Sequence, residues 1–387
     1  MLKCDFSWHW QKVTQKSIYL IAGEASGDFL GAQLIKALRS SDLSITFKGI
    51  GGDLMTAQNF SSLFPMQELS LMGIAEIIPH IPRLYRRIQQ TVNDIVAQKP
   101  NVLVTIDSPG FCHRVAKAVK KKLPNLKIVH YVAPSVWAWR PGRAKKLGKW
   151  VDHLLTLFPF ESQYFLPYGL KTTFVGHPLL EQDIQADPTF RKRYGILDNA
   201  RVVTLLAGSR KGEVERLLSL FCQAVQNLPK LHIVAPTLPT FVDIIRQELL
   251  KTGHSFTITT SAQDKYAAFY TSDAALAASG TVSLELALTG TPMVIGYKVS
   301  PLTYFLAKLL IKVKHVCLVN ILLNRGVVEE YLQDDCTVGN LTRALNDLLT
   351  GQNQHQKPYL EQAISLLKNP NDISPSQKAA EVILSLI

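Results

Sequence analysis

Residues 17–38 read SIYLIAGEASGDFLGAQLIKAL. The run 18–22, IYLIA, is continuous and apolar, the length of a buried strand and too short for a helix. GEASGD at 23–28 ends it, and Leu30, Leu34, Ile35 and Leu38 then recur at helical spacing. Strand, tight glycine turn and helix in that order open a doubly wound α/β sheet.

The same unit repeats outward. Short apolar runs follow at 102–106 (VLVTI), 128–132 (IVHYV), 153–157 (HLLTL) and 172–175 (TTFV), separated by helical or loop sequence. Continuous rather than alternating apolar strands indicate a parallel sheet covered on both faces. Gly176-His177-Pro178 closes this series, and 179–200 is polar and irregular. A second series begins at 202–206 (VVTLL) and continues at 231–235, 256–259, 274–277 and 293–296. The expected architecture is two Rossmann-like doubly wound domains, 17–178 and 201–365, facing a central cleft and joined by a linker at 179–200. Residues 1–16 form an N-terminal extension. Residues 366–387 carry an amphipathic helix, with Ser374 as N-cap, Pro375 in the first turn, and Ala379, Val382, Ile383 and Leu386 on one face.

Of 387 residues, 42 are Lys or Arg and 30 are Asp or Glu, giving a net charge of +12. A 47% hydrophobic content excludes disorder, and the basic excess points to an anionic partner: nucleic acid, a phosphorylated ligand or an anionic membrane. The five cysteines are scattered, with no C-x-x-C, which argues against a disulfide framework or a structural zinc site and favours a reducing compartment. The first sixteen residues lack the apolar core of a signal peptide. The most apolar window, Leu302 to Leu323, is broken by Lys308, Lys312, Lys314 and His315, so no transmembrane span is expected. These features place the protein in the cytoplasm.

Chemistry concentrates at the strand ends. In GEASGD, Glu24, Ser26, Gly27 and Asp28 suit sugar hydroxyls or an amine better than a pyrophosphate, which the two carboxylates would repel; a purely steric turn is the alternative. In IDSPGF, Asp107 directly follows a strand and can act as general base for a substrate hydroxyl or cap the next helix. HYVAPSVWAWRPGRAKK mixes Trp137, Trp139, Arg140 and Arg143, either a loop that stacks on a ring and clamps phosphate or a solvated basic face. In LLAGSRKGEVE, Gly208, Ser209 and Arg210 form a plausible diphosphate site, and Glu213 and Glu215 can be ordinary first-turn acids. In AASGTVSLELAL, the amides of Ser279, Gly280 and Thr281 open a helix with Glu285 one turn on, a pattern for phosphate plus a ribose diol, or a plain βαβ turn. His177 and His315 are the histidines of interest. No H-E-x-x-H or aspartate cluster calls for a metal, and no cofactor is expected.

Taken together, AGEASGD at 22–28, LSLMGIAEI at 69–77, IDSP at 106–109, HYVAPSVWAWR at 130–140, GHP at 176–178, GSRKGEVE at 208–215 and SGTVSLELAL at 279–288 resemble the lipid-A-disaccharide synthase family. The resemblance spans about Ser17 to Cys336. It implies a GT-B glycosyltransferase that joins UDP-2,3-diacylglucosamine to 2,3-diacylglucosamine 1-phosphate, giving a β-1,6-linked disaccharide 1-phosphate and UDP. It also implies Asp107 as base toward the acceptor 6-hydroxyl, Arg210 on the donor diphosphate and Glu285 on the ribose. Asn320, in CLVNILLNR, resembles a family asparagine near the cleft and joins the donor group; Glu24, Ser26, Gly27, Asp28, Trp137 and Arg140 fall to the acceptor sugar. Where the family often has a second aspartate in I-D-A/S-P-D-F, this chain has Gly110.

Acylated substrates belong to a membrane. Ile74, Ile77, Ile78, Ile81, Leu84 and Tyr85 recur at helical spacing beside Arg83, Arg86 and Arg87, with Pro79 and Pro82 expected to split the helix. This stripe reads either as core-facing or as a patch on an anionic inner-membrane surface. A second copy of the chain is a further candidate partner. Three competing readings are a UDP-N-acetylglucosamine 2-epimerase-like enzyme, a sugar-nucleotide sensor without turnover, and a nucleic-acid binder, the last disfavoured because no binding module is present.

Overall fold

The computed structural model describes residues 16–69, 81–138, 142–300, 304, 314–351 and 355–387. The first lobe runs β1 (Ser17–Ala22), α1 (Ala25–Ser41), β2 (Thr46–Ile50), α2 (Asp53–Thr56), α3 (Ile81–Gln98), β3 (Val102–Ile106), α4 (Pro109–Lys122), β4 (Lys127–Tyr131), α5 (Gly142–Leu147), β5 (His153–Thr156) and β6 (Lys171–Phe174). The second runs α6 (Phe190–Arg193), β7 (Val202–Leu206), α7 (Lys211–Gln226), β8 (His232–Pro236), α8 (Val242–Leu250), β9 (Ser255–Thr259), α9 (Ala262–Thr271), β10 (Ala274–Ala277), α10 (Val282–Leu288), β11 (Met293–Tyr297), α11 (Leu318–Leu323), β12 (Glu329–Leu332), α12 (Val338–Leu349), α13 (Gln356–Ser365) and α14 (Pro375–Leu384).

Each lobe holds a six-stranded parallel sheet. The apolar runs are strands with ends displaced by at most one residue. Two further strands, β2 (TFKGI) and β12 (EEYL), are sheet edges. An edge keeps one side in solvent, so neither carries the continuous apolar run of a central strand.

The strand orders are β2-β1-β3-β4-β5-β6 and β12-β11-β10-β7-β8-β9. Each reverses once, between β1 and β3 and between β7 and β10. At such a reversal the loops leaving the two strands diverge and open a crevice. In the first lobe Ala22 pairs with Ile106, in the second Leu206 with Ala277. The next residues are Gly23, Asp107, Ala207 and Ala278, so four of the sequence motifs sit at the two crevices.

The stretch 179–200 is partly core. Phe190 and Ile196 are buried with Val202, Val234, Ala267 and Ala268. At the other end of the chain, α14 packs on α1 of the first lobe. Ser374 and Gln377 exchange hydrogen bonds at its start (both 3.2 Å). The returning segment ties itself to the end of the first lobe: His177 N donates to Leu367 O (3.0 Å), Asn369 Nδ2 to Val175 O (3.0 Å) and Ser376 Oγ to Glu181 Oε2 (2.7 Å).

In helix α3, Pro82 lies in the first turn, where a missing N–H costs nothing, and the helix runs from Ile81 to Gln98. Ile88, Thr91, Val92 and Ile95 face the core, while Ile81, Arg83, Tyr85 and Arg86 are exposed. Ile74, Ile77, Ile78 and Pro79 lie outside the described residues. Among those described, no helix is long and apolar enough to cross a membrane.

Candidate active site

The first crevice is built by two turns in contact. A Cβ on Gly23 would come within 2.4 Å of Ser108 Oγ, so only glycine lets the β1–α1 turn approach the β3–α4 turn. Asp107 and Ser108 both adopt left-handed backbone, φ 48° and 44°. Two consecutive non-glycine residues in that region cost of order 1–3 kcal/mol each, strain that gathers at functional sites. The Asp107 amide is held by Tyr131 O (2.9 Å), and among the described residues its carboxylate accepts only from the adjacent Ser108 amide (2.8 Å). Ser108, not Asp107, is the N-cap of α4, and no side chain caps that helix. The helix-capping alternative for Asp107 therefore fails on geometry. Burial raises the carboxyl above its ordinary range, against the opposing pull of the Ser108 amide.

Asp28 is a correction. It is 4% exposed, and its two oxygens accept from the amides of Gly52 (2.7 Å), Leu54 (2.9 Å) and Met55 (3.1 Å). It fastens the start of α2 and has no free edge for a sugar. In the same turn Glu24 is half-buried, Ser26 is exposed and Gly27 is buried. Glu24 is the carboxylate of GEASGD that remains for the cleft.

After β4 the chain is strained again, with Val132 at φ 81°, a conformation β-branched residues avoid. Trp137 packs on the segment that follows β5. Its indole Nε1 donates to Glu161 Oε1 (3.4 Å), and its ring meets Phe160 edge-on at 5.4 Å. Glu161 also accepts from the amides of Leu157 (3.0 Å) and Phe158 (3.1 Å), and burial pushes its carboxyl up to about 7. Nothing in FPFESQY marks Glu161 in the sequence, because its partner lies far along the chain. Trp137 thus holds the loop rather than standing free to stack; Arg140 lies outside the described residues. His177 accepts from Leu179 N (3.2 Å), and burial lowers its imidazole to about 4.

The second crevice holds the cation. Gly208 has φ 112°, and a Cβ there would meet the Glu213 side chain at 2.6 Å. Glu213 folds back to accept from the amides of Ser209 (3.2 Å) and Arg210 (3.4 Å), from Arg210 Nη1 (3.1 Å) and from Tyr297 OH (3.1 Å). The expectation that the Ser209 and Arg210 amides would be open to a diphosphate is corrected: a carboxylate already occupies them. The Arg210 guanidinium itself is 70% exposed. Beyond β10, Ser279 Oγ donates to Val316 O (2.9 Å), and Gly280 and Thr281 lie at the mouth of α10. Glu285 pairs with Lys265 (2.7 Å) and accepts from Tyr266 OH (3.0 Å), which also bonds Gln182. Asn320 is also corrected. It is fully buried, its Nδ2 on Val328 O (2.7 Å) and Glu330 Oε1 (2.6 Å) and its Oδ1 on the Val327 and Val328 amides (both 2.9 Å). It shapes the wall and offers no edge to a nucleotide. His315 stands 3.6 Å from the same Glu330.

The two crevices face each other. Glu24 is raised first by burial, then by the Asp107 charge, and is lowered by Arg210 of the opposite lobe. Two carboxylates on one wall and a guanidinium on the other suit a reaction in which a hydroxyl loses a proton while an anion departs. Among the described residues no group of three or more His, Cys, Asp or Glu is placed to hold a metal ion.

Residues 18–383 match the family model described as lipid-A-disaccharide synthetase. The chain belongs to the lipid-A-disaccharide synthase family. The lipid-A-disaccharide synthase of Rhodospirillum centenum is 42% identical over 379 residues, 96% of this chain and 94% of that protein, and the one from Rickettsia typhi is 41% identical over 95% and 98%. The activity is that family's, a glycosyl transfer in lipid A biosynthesis. Among solved structures, Acinetobacter baumannii MurG superposes with a TM-score of 0.57 at 14% identity, covering 96% and 99% of the two chains. UDP-GlcNAc 2-epimerase from Neisseria meningitidis bound to UDP-GlcNAc gives 0.57 at 12%, over 96% and 99%. At such identity these likenesses establish the GT-B-like fold of two facing parallel sheets, and the epimerase resemblance goes no further.

Proposed function

We propose that Asp107 is the general base of an inverting transfer from UDP-2,3-diacylglucosamine to the 6-hydroxyl of 2,3-diacylglucosamine 1-phosphate. The acceptor O6–H proton passes to Asp107, O6 forms the new bond to the donor C1, and the C1–phosphate oxygen bond breaks to release UDP. The observation that carries this is the carboxylate on strained backbone at the first sheet's reversal, with Arg210 across the cleft. A raised carboxyl is a better proton acceptor near neutral pH than an ordinary one. Arg210 stabilises the charge that develops on the leaving diphosphate, helped by the backbone at Ser279, Gly280 and Thr281, and the outer oxygen of Glu285 takes the ribose. Gly208 shapes the turn that presents Arg210. Glu24, Ser26 and the Gly27 backbone border the acceptor sugar. The test is incubation of the full chain with both acylated substrates, with mass spectrometry of products and assay of UDP. Absence of a disaccharide 1-phosphate overturns the reading.

We further propose that the enzyme works on the anionic cytoplasmic membrane face through α3. Ile81 and Tyr85 are 53% and 61% exposed on a helix whose opposite side is core, with Arg83 and Arg86 beside them. Arg87 drops out of this surface: it forms a two-pronged pair with Glu68 (2.5 and 2.9 Å) and lies over the Phe64 ring. Contact with the bilayer relieves diacylated substrates of leaving it, at about 0.8 kcal/mol per exposed CH₂. Ile81→Asp with Tyr85→Asp is expected to keep its Tm and cease sedimenting with anionic vesicles. Unchanged sedimentation removes α3 from the membrane surface.

A further inference from the structure

Lys265 and Tyr266, consecutive residues of α9, have no part in the transfer above, yet both reach the Glu285 carboxylate on α10. Lys265 Nζ lies 2.7 Å from Glu285 Oε1, and Tyr266 OH donates to the same oxygen at 3.0 Å. Among the described residues nothing donates to Oε2. One oxygen of the carboxylate thus carries two donors, and the other keeps its lone pairs for a ligand. The last torsion of a glutamate side chain is broad, so a carboxylate without such ties turns freely. Two donors on one oxygen fix that rotation and with it the direction of the second oxygen. The Glu285 side chain is 18% exposed, one helical turn beyond the mouth of α10 in the second crevice.

The two donors are themselves pinned. Tyr266 is buried, its ring meets Phe269 edge-on at 5.9 Å, and Lys265 Nζ stands 4.6 Å from the ring centroid. Its hydroxyl also bonds Gln182 Oε1, in the stretch that joins the lobes. Burial first, and then the Glu285 charge, raises the phenol above its ordinary range, so it stays protonated and remains a donor. Lys265 has a second effect. A carboxylate beside a bound diphosphate repels it, and the paired ammonium offsets that repulsion. An ionised carboxylate oxygen only accepts, so its complement on a ligand is a hydroxyl or an N–H. An acceptor held in place beforehand spares the ligand the cost of ordering it.

We propose that Tyr266 and Lys265 are positioning residues that hold one oxygen of Glu285 and present the other to the ribose hydroxyls of the donor. They thereby set the preference of the enzyme for a ribonucleotide. The inference rests on Glu285 taking the ribose. Tyr266 acts on direction alone, since its hydroxyl is neutral. Lys265 acts on direction and on charge, so its loss reaches every anionic nucleotide, with or without a ribose diol.

The test measures UDP and 2′,3′-dideoxy-UDP binding to the full chain by calorimetry. The wild-type chain is expected to prefer UDP by about ten- to a hundredfold. Tyr266→Phe keeps the ring and removes the hydroxyl. It should cut that preference roughly three- to tenfold by weakening UDP, with dideoxy-UDP affinity unchanged. In turnover it should raise KM for the UDP-sugar and leave KM for the acceptor as it was. Lys265→Met should weaken both nucleotides and also reduce the preference. Lys265 is partly in solvent, so this variant decides the matter if Tyr266→Phe does not fold. Equal weakening of both nucleotides by Tyr266→Phe would make Tyr266 a packing residue, and an intact preference in both variants would show Glu285 held without them. Either result overturns the proposal. A wild-type chain that binds the two nucleotides equally refutes instead the assignment of the ribose to Glu285, and the positioning role falls with it.

Discussion

The turn after β1 and the turn after β7 occupy the same place in their two sheets, each at the end of the first strand of its lobe and each opening a long helix. Both contain a carboxylate that looks available in the sequence and is not: Asp28 holds three amides of the α2 start, and Glu213 holds the amides of its own turn. What each turn leaves over differs in sign. The first presents Glu24 near Asp107, the second Arg210. Similar backbone geometry thus carries opposite charge on the two walls. The acidic wall suits the group that loses a proton, and the basic wall the group that departs as an anion.

The sharpest way to break this contrast is at Asp107. Asp107→Asn keeps the shape and removes the base, so kcat should fall by about 10² to 10⁴ with UDP affinity retained. Near-normal turnover would leave the acidic wall without a catalytic function. Asp28→Ala tests the other kind of carboxylate. It strands buried amide donors, so we expect a loss of about 3 kcal/mol in denaturant unfolding, with the residual folded enzyme still active. On the basic wall, Arg210→Ala and Glu285→Ala should each weaken UDP binding by roughly ten- to a hundredfold, read by calorimetry. Unchanged affinity in both would remove the second crevice as the nucleotide site.

The smallest effect concerns Glu161, the carboxylate behind Trp137. Its folded value of about 7 stands above its ordinary 4.5, so the folded state favours the proton. Its contribution is therefore present below pH 4.5 and is lost as the pH rises toward 7. Glu161→Gln should flatten the dependence of Tm on pH within that window and leave it unchanged outside. A curve identical to wild type would place the titration elsewhere.

Much of the fold was legible because continuous apolar runs have one cheap solution, a parallel strand covered on both faces. The edge strands β2 and β12 escaped that logic, since Lys48 in one and Glu329 and Glu330 in the other suit half-exposed positions. Within the site, Asp107 and Arg210 stood out by sitting directly after strands. The roles of Asp28, Glu213 and Asn320 did not, because a carboxylate or amide looks the same in sequence whether its lone pairs face a ligand or a neighbouring N–H.

The sequence by itself determined the two α/β units, the strand ends that carry the motifs, the basic excess and the family. Local spacing and composition suffice for these, because they follow from periodicity and turn chemistry along the chain. Tertiary structure alone decided which polar groups are already occupied, that Trp137 is anchored by Glu161, and that Lys265 and Tyr266 meet on Glu285. Those facts depend on contacts between elements distant in the chain, where burial and hydrogen-bond geometry, rather than residue type, set what a side chain can do.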